Sequence, residues 1–515
     1  MPQTVENNQI NNGSQERILR NTSYLTLAFI LQKILSFLFF IFVARALGPI
    51  DLGLYDPVKS LIPILLILID FSLSVVLVRE IARTPERAEE YLSNVLGVKI
   101  FFALIIILSM GLFTNLSDYS ALIKTILYLD GVIVVLDTFT LTFFAVFRGM
   151  QNMKYEALGI IVTQIITIII GATGLLLGFD LRILFAAVLS GSIFNFLFSL
   201  TMLRRKLKIR IRFSWNKEII KTFFKIALPF AIAAILVKIY SYTDRFMLLG
   251  WAGQSHVGWY ITSHKLTYAL EFIPSAFAVS IFPAMSAFYI SSKGQLVKTF
   301  EKAMLYLMIL AVPISAGVLI LADKIIFSLY GQAYETSITP LRILMIGLIV
   351  IFLNFPVGAF LNACNRQVRN TINMAIAVTV NVVLNLFLIK SFTFNGAAIA
   401  ALVSGFVLFF LGLYWVGKVI VYNKKLLLTT FVKTIFSAGI MAIVLFILKN
   451  KVDITISLNS SAIAKNISAI LSLSVYIFVG AIVYVLILYL IKGFTKSDIN
   501  FFYQRFVKKL LRKKT

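Results

Sequence analysis

A single cysteine, Cys364, occurs in 515 residues, so no intramolecular disulfide can form and the thiol is expected to pack as a small apolar group. Histidine is almost as scarce. His256 and His264 stand near each other with no further ligand type beside them, so both read as structural and no metal site is expected. Acids number 22 against 48 bases. Strand-like alternation is missing, which excludes a closed membrane barrel. An apolar signal core is also missing from residues 1–16, which are polar and rich in Asn and Gln, so the first span is expected to remain as an anchor. One stretch imitates a phosphate loop: GLYWVGKV, Gly412–Val419, carries valine where Ser or Thr is needed and lies in an apolar run with no preceding strand. ATP hydrolysis is therefore not expected. With no nucleophile triad, metal cluster or cofactor motif, the chain reads as something other than an enzyme.

What the chain does have is apolar length. Hydrophobic residues make up 60% of it, and its mean hydropathy is +0.93. Runs such as Ile100–Met110, Ile160–Leu177 and Ile467–Ile491 match all or much of a bilayer-crossing helix. The expected fold class is all-α, a polytopic membrane protein of about 14 spans. These fall at 22–46, 54–78, 92–113, 120–147, 156–178, 182–203, 222–250, 257–289, 302–322, 338–362, 371–390, 396–421, 427–448 and 466–491.

The formal charge of +26 raises the question of nucleic acid. Alternating the segments between spans from side to side places 33 cations on the side of both termini and 9 on the other. That is the positive-inside pattern. It predicts a multi-pass protein of the plasma membrane with both termini cytoplasmic, its surplus charge drawn to anionic membrane lipids. No nucleic-acid partner is needed.

An internal repeat orders the spans. FAAVLSG (Phe185–Gly191) matches IAALVSG (Ile399–Gly405) at an offset of 214, and the same offset sets the polar turn from Phe147 on the one from Leu361. LGLY (Leu52–Tyr55) matches VGWY (Val257–Tyr260) at 205. Each match pairs a span with the sixth one after it, so two parallel six-helix lobes are expected, with two extra C-terminal helices. The resulting division is a cytoplasmic polar tail (1–20), a first lobe (21–203), a basic cytoplasmic linker (204–221), a second lobe (222–421), two further helices (422–491) and a basic amphipathic cytoplasmic tail (492–515). In that last tail Ile499, Phe502, Phe506 and Leu510 share one face, as in a helix lying on the inner leaflet.

ARALGP, Ala44–Pro49, reads as a helix stop: Arg45 suits the negative end of the helix dipole, Gly48 a left-handed cap, and Pro49 blocks continuation. Several stretches together resemble a known family. They are ARALGPIDLGLYD (Ala44–Asp56), DFSLSVVLVREIAR (Asp70–Arg83), YTDRFMLLGWAGQSHVGWYITSHKL (Tyr242–Leu266), YGQAYETSITPLRIL (Tyr330–Leu344) and NGAAIAALVSG (Asn395–Gly405). In order and in span count they resemble the Wzx-type polysaccharide flippases of the multidrug/oligosaccharidyl-lipid/polysaccharide exporter superfamily. The resemblance implies a two-lobed V-shaped fold with spans 1, 2, 7 and 8 lining a central cavity. It also implies alternating access that moves polyprenyl- or dolichyl-(pyro)phosphate-linked oligosaccharide from the cytoplasmic to the outer leaflet. One departure is Asp70 with no glycine, where many members read GL.

Ionisable residues inside spans are costly, so they mark a cavity or a partner. Most here fall on spans 1, 2, 4, 7 and 8. Candidate substrate-binding cations are Lys33, Lys59, Lys238, Arg245 and Lys265, since a phosphate cargo needs reversible cationic contacts. Asp70, Asp130, Asp137, Asp244 and Glu271 are candidate ion-coupling sites or counter-ions, coupling to H+ or Na+ being open. Lys33 and Lys238 are expected near mid-membrane in one cavity. Asp56, Lys59 and Asp70 share a sector about 60° wide, and Lys99 is expected to snorkel to the near surface. Asp56–Lys59 pairing and Asp244–Arg245 capping are the bland alternatives. A monomer carrying a lipid-linked glycan is the favoured reading. A cation-coupled drug antiporter and a peptidoglycan-precursor flippase are the nearer rivals, and a membrane glycosyltransferase or polymerase is the more distant one.

Overall fold

The structure is a computed structural model that describes residues 3–451 and 462–493. The amphipathic segment expected at 498–514 lies outside the described residues. Among them the secondary structure is helical and no strand occurs. The helices are α1 (Gln3–Lys59), α2 (Leu61–Asp70), α3 (Leu73–Arg83), α4 (Ala88–Leu116), α5 (Ala121–Gly149), α6 (Lys154–Leu176), α7 (Arg182–Lys206) and α8 (Lys217–Trp251). They continue with α9 (Gln254–Leu270), α10 (Phe272–Ser291), α11 (Lys293–Tyr330), α12 (Ile338–Ala363), α13 (Gln367–Gly417), α14 (Lys424–Lys451) and α15 (Ala462–Leu490).

Among the described residues, twelve helical stretches are long and apolar enough to cross a membrane. Two of them, 23–70 and 367–417, run for 48 and 51 residues, about twice what a bilayer core needs. Each contains a non-helical residue, Gly48 (φ 71°) in the first and Thr393 (φ 48°) in the second. The second stretch folds back at its break, because Asn381 Nδ2 reaches Ser404 Oγ at 3.2 Å across 23 residues. Dividing both stretches at these residues gives fourteen segments. Two expected spans are not continuous. The second is interrupted at Phe71 (φ 44°) and Ser72 (φ 57°), just after Asp70, and the eighth breaks at Glu271, between α9 and α10.

The repeat is written in the backbone as well as in the side chains. Gly48 and Gly253, 205 apart, both take positive φ. At the 214 offset one turn is built twice. In the first copy the N–H groups of Met150, Gln151 and Asn152 donate to the carbonyls of Val146, Arg148 and Phe147. In the second, Cys364, Asn365 and Arg366 donate to Phe360, Asn362 and Leu361. Gln151 and Asn365, the equivalent residues, are both left-handed, at φ 53° and 58°.

Packing divides the chain into two compact units, Met1–Gly258 and Trp259–Thr515. The first has a core around Leu77, Leu92, Phe147 and Leu203, and α8 joins it through Phe223 and Ala227. In the second, Leu321, Met441, Tyr476 and Leu488 gather α11, α14 and α15. Between helices in lipid the driving force is close contact rather than hydrophobic burial, and small residues permit it. Gly53 and Gly258, 205 apart in the repeat, make the tightest such crossing. A Cβ on Gly53 would strike the Gln254 carbonyl, and one on Gly258 would strike that of Pro49, itself the equivalent of Gln254. The contact is reciprocal.

Candidate functional site

The end of α1 and the residue after it carry YDPVKS, Tyr55–Ser60, which is where ionisable side chains first enter the first unit's interior. Asp56 points at α8 and pairs with Arg245, Nη1 to Oδ2 at 2.9 Å, both side chains 6% exposed. The same Nη1 donates to Ser60 Oγ at 3.1 Å, while Ser60 donates to the Asp56 carbonyl at 2.7 Å. Asp244 is buried beside this pair and accepts the Arg245 backbone N–H at 2.9 Å. The Asp56–Lys59 pairing left open by sequence therefore does not form. Arg245, 189 residues away, is the partner of Asp56.

Lys59 turns instead to Tyr55, donating to its hydroxyl at 2.7 Å, with Asp56 and Asp130 within electrostatic reach of its ammonium. Asp130, on α5, is fully buried, and neither carboxylate oxygen has a hydrogen-bond partner. Two turns on, Asp137 is half-buried and faces the Ser192 hydroxyl of α7.

Along α8 a cationic ladder runs past one aromatic ring. Lys238 Nζ lies 5.7 Å from the centre of the Tyr242 ring and the Arg245 guanidinium 4.8 Å from it, on side chains four residues before and three after. Lys238 is half-buried, and among the described residues no carboxylate stands within ion-pair distance of it. Lys33 is exposed on α1. Lys265 is half-buried on α9 in the second unit, and Glu271 occupies the break between α9 and α10 there.

Asp70 belongs elsewhere. Its carboxylate pairs with Lys99 of α4 and accepts from Ser74. Lys99 Nζ also lies 2.5 Å from Thr142 Oγ1, 3.0 Å from Ser74 Oγ and 3.3 Å from the Thr138 carbonyl. The lysine is wholly buried and does not snorkel. Four polar partners in reach outweigh the pull of the headgroup layer, because an ammonium buried in apolar surroundings needs every donor satisfied. Sharing a helix face did not mean sharing a site. Asp56 and Asp70 are fourteen residues apart, about 21 Å along an axis at 1.5 Å per residue. Lys99 is the residue that the sequence reading misplaced; a signal existed in the Ser74, Thr138 and Thr142 hydroxyls of neighbouring spans.

The sequence profile of the polysaccharide biosynthesis protein family matches residues 18–289, more than half of the chain. The chain belongs to this family. A related protein is the probable low-salt glycan biosynthesis flippase Agl15 of Haloferax volcanii, 26% identical over 394 residues, covering 75% of this chain and 81% of that one. Among solved structures, the lipid II flippase MurJ in an inward closed conformation superposes with a TM-score of 0.71 at 16% identity, over 91% of this chain and 98% of that one. An inward-facing multidrug resistance MATE family transporter of the MOP superfamily gives 0.62 at 17%, over 78% and 98%. These likenesses show that the chain shares the fold of those two proteins. With twelve helical stretches apolar enough to cross a bilayer among its described residues, this family member is a multi-pass membrane protein, and the relatives named above are flippases and transporters, not enzymes.

Proposed function

We propose that the chain moves a polyprenyl- or dolichyl-(pyro)phosphate-linked oligosaccharide from the cytoplasmic to the outer leaflet of the plasma membrane, by alternating access and as a monomer with both termini in the cytoplasm. The observation that carries this reading is Lys238. A lysine held inside a span without an acid is costly unless an anion visits it. Arg245, which shares the Tyr242 ring with it, spends part of its charge on Asp56, so the pair offers one open and one tempered cation. A diphosphate can bridge two such groups and leave again. Lys59 would extend the contact, Lys33 would guide the anion, and Tyr242 offers a face for a sugar. The glycan-flippase relative supports the class of cargo. Coupling to H+ or Na+, if used, would pass through Asp130, whose buried carboxylate lacks hydrogen-bond donors; Asp70, by contrast, is committed to Lys99.

The test is leaflet-resolved transport in proteoliposomes loaded with a lipid-linked oligosaccharide, a lipid-linked peptidoglycan precursor or a cationic drug. Lys238→Gln should lower glycan-lipid flux about tenfold or more, the worth of one charge-assisted hydrogen bond, with folded yield unchanged. Lys238→Arg should keep much of the flux. Full flux by a Lys33→Gln/Lys238→Gln variant would end the phosphate-cradle reading. Drug transport without glycan-lipid transport would replace it. An imposed pH or Na+ gradient that drives the parent protein but not Asp130→Asn would identify the coupling acid.

A further inference from the structure

The basic segment between α7 and α8 is pinned, not slack. The Arg210 N–H donates to Glu89 Oε2 at 3.3 Å, the Ser214 N–H to the Ser93 carbonyl at 3.3 Å, and the Asn216 N–H to Asn94 Oδ1 at 2.5 Å. Gly97 completes the track, since a Cβ there would press on the Ser214 carbonyl. All four anchor points lie on the first turns of α4. Leu207, Ile209 and Ile211 face inward against the core that holds Tyr91, Val95 and Leu203. Alternation then leaves Lys208, Arg210 and Arg212 exposed, followed by Phe213 and Trp215, which are 65% and 62% exposed. The acid facing this row is Glu89, 4.0 Å from Arg212, whose side chain stays 66% exposed.

Depth follows from the contacts. From Glu89 to Gly97 is eight residues of helix, about 12 Å along α4. The strap therefore runs its cations beside the first turn of α4 and brings Trp215, which lies against Gly97, about two turns closer to the apolar part of the span. We propose that this strap is a docking surface for anionic phospholipid headgroups in the leaflet that the protein's basic segments face. Cations at phosphate level with aromatics just beneath match the layering of that interface. Because the backbone is already fixed, little ordering is needed when the lipid arrives. The inference does not depend on the cargo.

The experiment labels Ser214→Cys with NBD in the full chain, reconstituted in phosphatidylcholine vesicles with or without phosphatidylglycerol. Cys364 is fully buried and its thiol is pushed up to about 11 by that burial, so the label sits on the introduced site. Quenching by a headgroup-level spin-labelled lipid is compared with quenching by aqueous TEMPOL. In phosphatidylglycerol vesicles the lipid quencher should dominate. Lys208→Gln, Arg210→Gln and Arg212→Gln should each shift the balance toward water by about fivefold. Trp215→Ser, which keeps every charge, should shift it in the same direction. A label equally open to TEMPOL with and without phosphatidylglycerol would overturn the proposal, as would a triple-neutral variant indistinguishable from the parent. A water-exposed strap of that kind would fit a soluble acidic partner instead.

Discussion

The two copies of the repeated turn solve one problem with different chemistry. Across the first, Arg148 and Glu156 form an ion pair, Nε to Oε2 at 2.7 Å, and Glu156 is buried. At the offset of 214 the equivalent residues are Asn362 and Asn370, which share an amide hydrogen bond at 3.3 Å. The contrast extends through both units. Among the described residues, the buried charged side chains (Asp56, Asp70, Lys99, Asp130, Glu156, Asp244 and Arg245) all belong to the first. The second buries Asn373, Asn381, Asn385, Ser404, Thr434 and Ser437 instead. A neutral interior is sufficient for this backbone. Charge in the other copy is thus an addition beyond what the fold requires, and it gathers around Arg245 and around Lys99.

Lys99 should give the largest break in that contrast. Lys99→Met strands the buried Asp70 carboxylate and should lower stability by about 3–5 kcal/mol, read as detergent-solubilised thermal unfolding. Lys99→Met/Asp70→Asn should recover most of the loss. An unaffected single variant would mean that the Asp70–Lys99 centre is no more demanding than the amides of the second unit. A sharper exchange converts one turn into the chemistry of the other. Arg148→Asn alone leaves Glu156 buried and should destabilise by about 2 kcal/mol, whereas Arg148→Asn/Glu156→Asn should return to within about 1 kcal/mol of the parent, since replacing both partners removes the stranded charge. A double variant worse than the single would show that the first copy does need its ions. Smallest is the second unit's own network: Asn381→Leu should cost about 0.6 kcal/mol, typical of a neutral hydrogen bond between spans. A loss several times larger would place Asn381 in a more demanding role.

Much of this architecture was legible along the chain, because the signals are local. Apolar length marks the spans, Gly48–Pro49 marks a stop, and the offsets of 205 and 214 survive as short matches, the second of which repeats a turn hydrogen bond for hydrogen bond. The interruption at Phe71–Ser72 left no glycine or proline to announce it. It is explained by tertiary contacts: Asp70 reaches Lys99, 29 residues on, and Ser74 completes the set from the next turn. The site followed the same rule. Helical phase grouped Asp56 with Lys59 on α1 but also put Asp70 in their company, since angle around an axis carries no information on distance along it or on which helix stands opposite. The pairing of Asp56 with Arg245 spans 189 residues, and nothing short of the fold reports it.

The reciprocal crossing of Gly53 and Gly258 has a consequence for descent. Each glycine sits beneath the carbonyl of the residue four before the other, so a methyl group at either position meets the same obstacle. Neither position can drift alone, and compensation at one cannot relieve the other, because the clash in each case is with main chain that no substitution removes. Lineages carrying this crossing should therefore keep both glycines or lose both together, the pair inherited as one character written at two places in the chain.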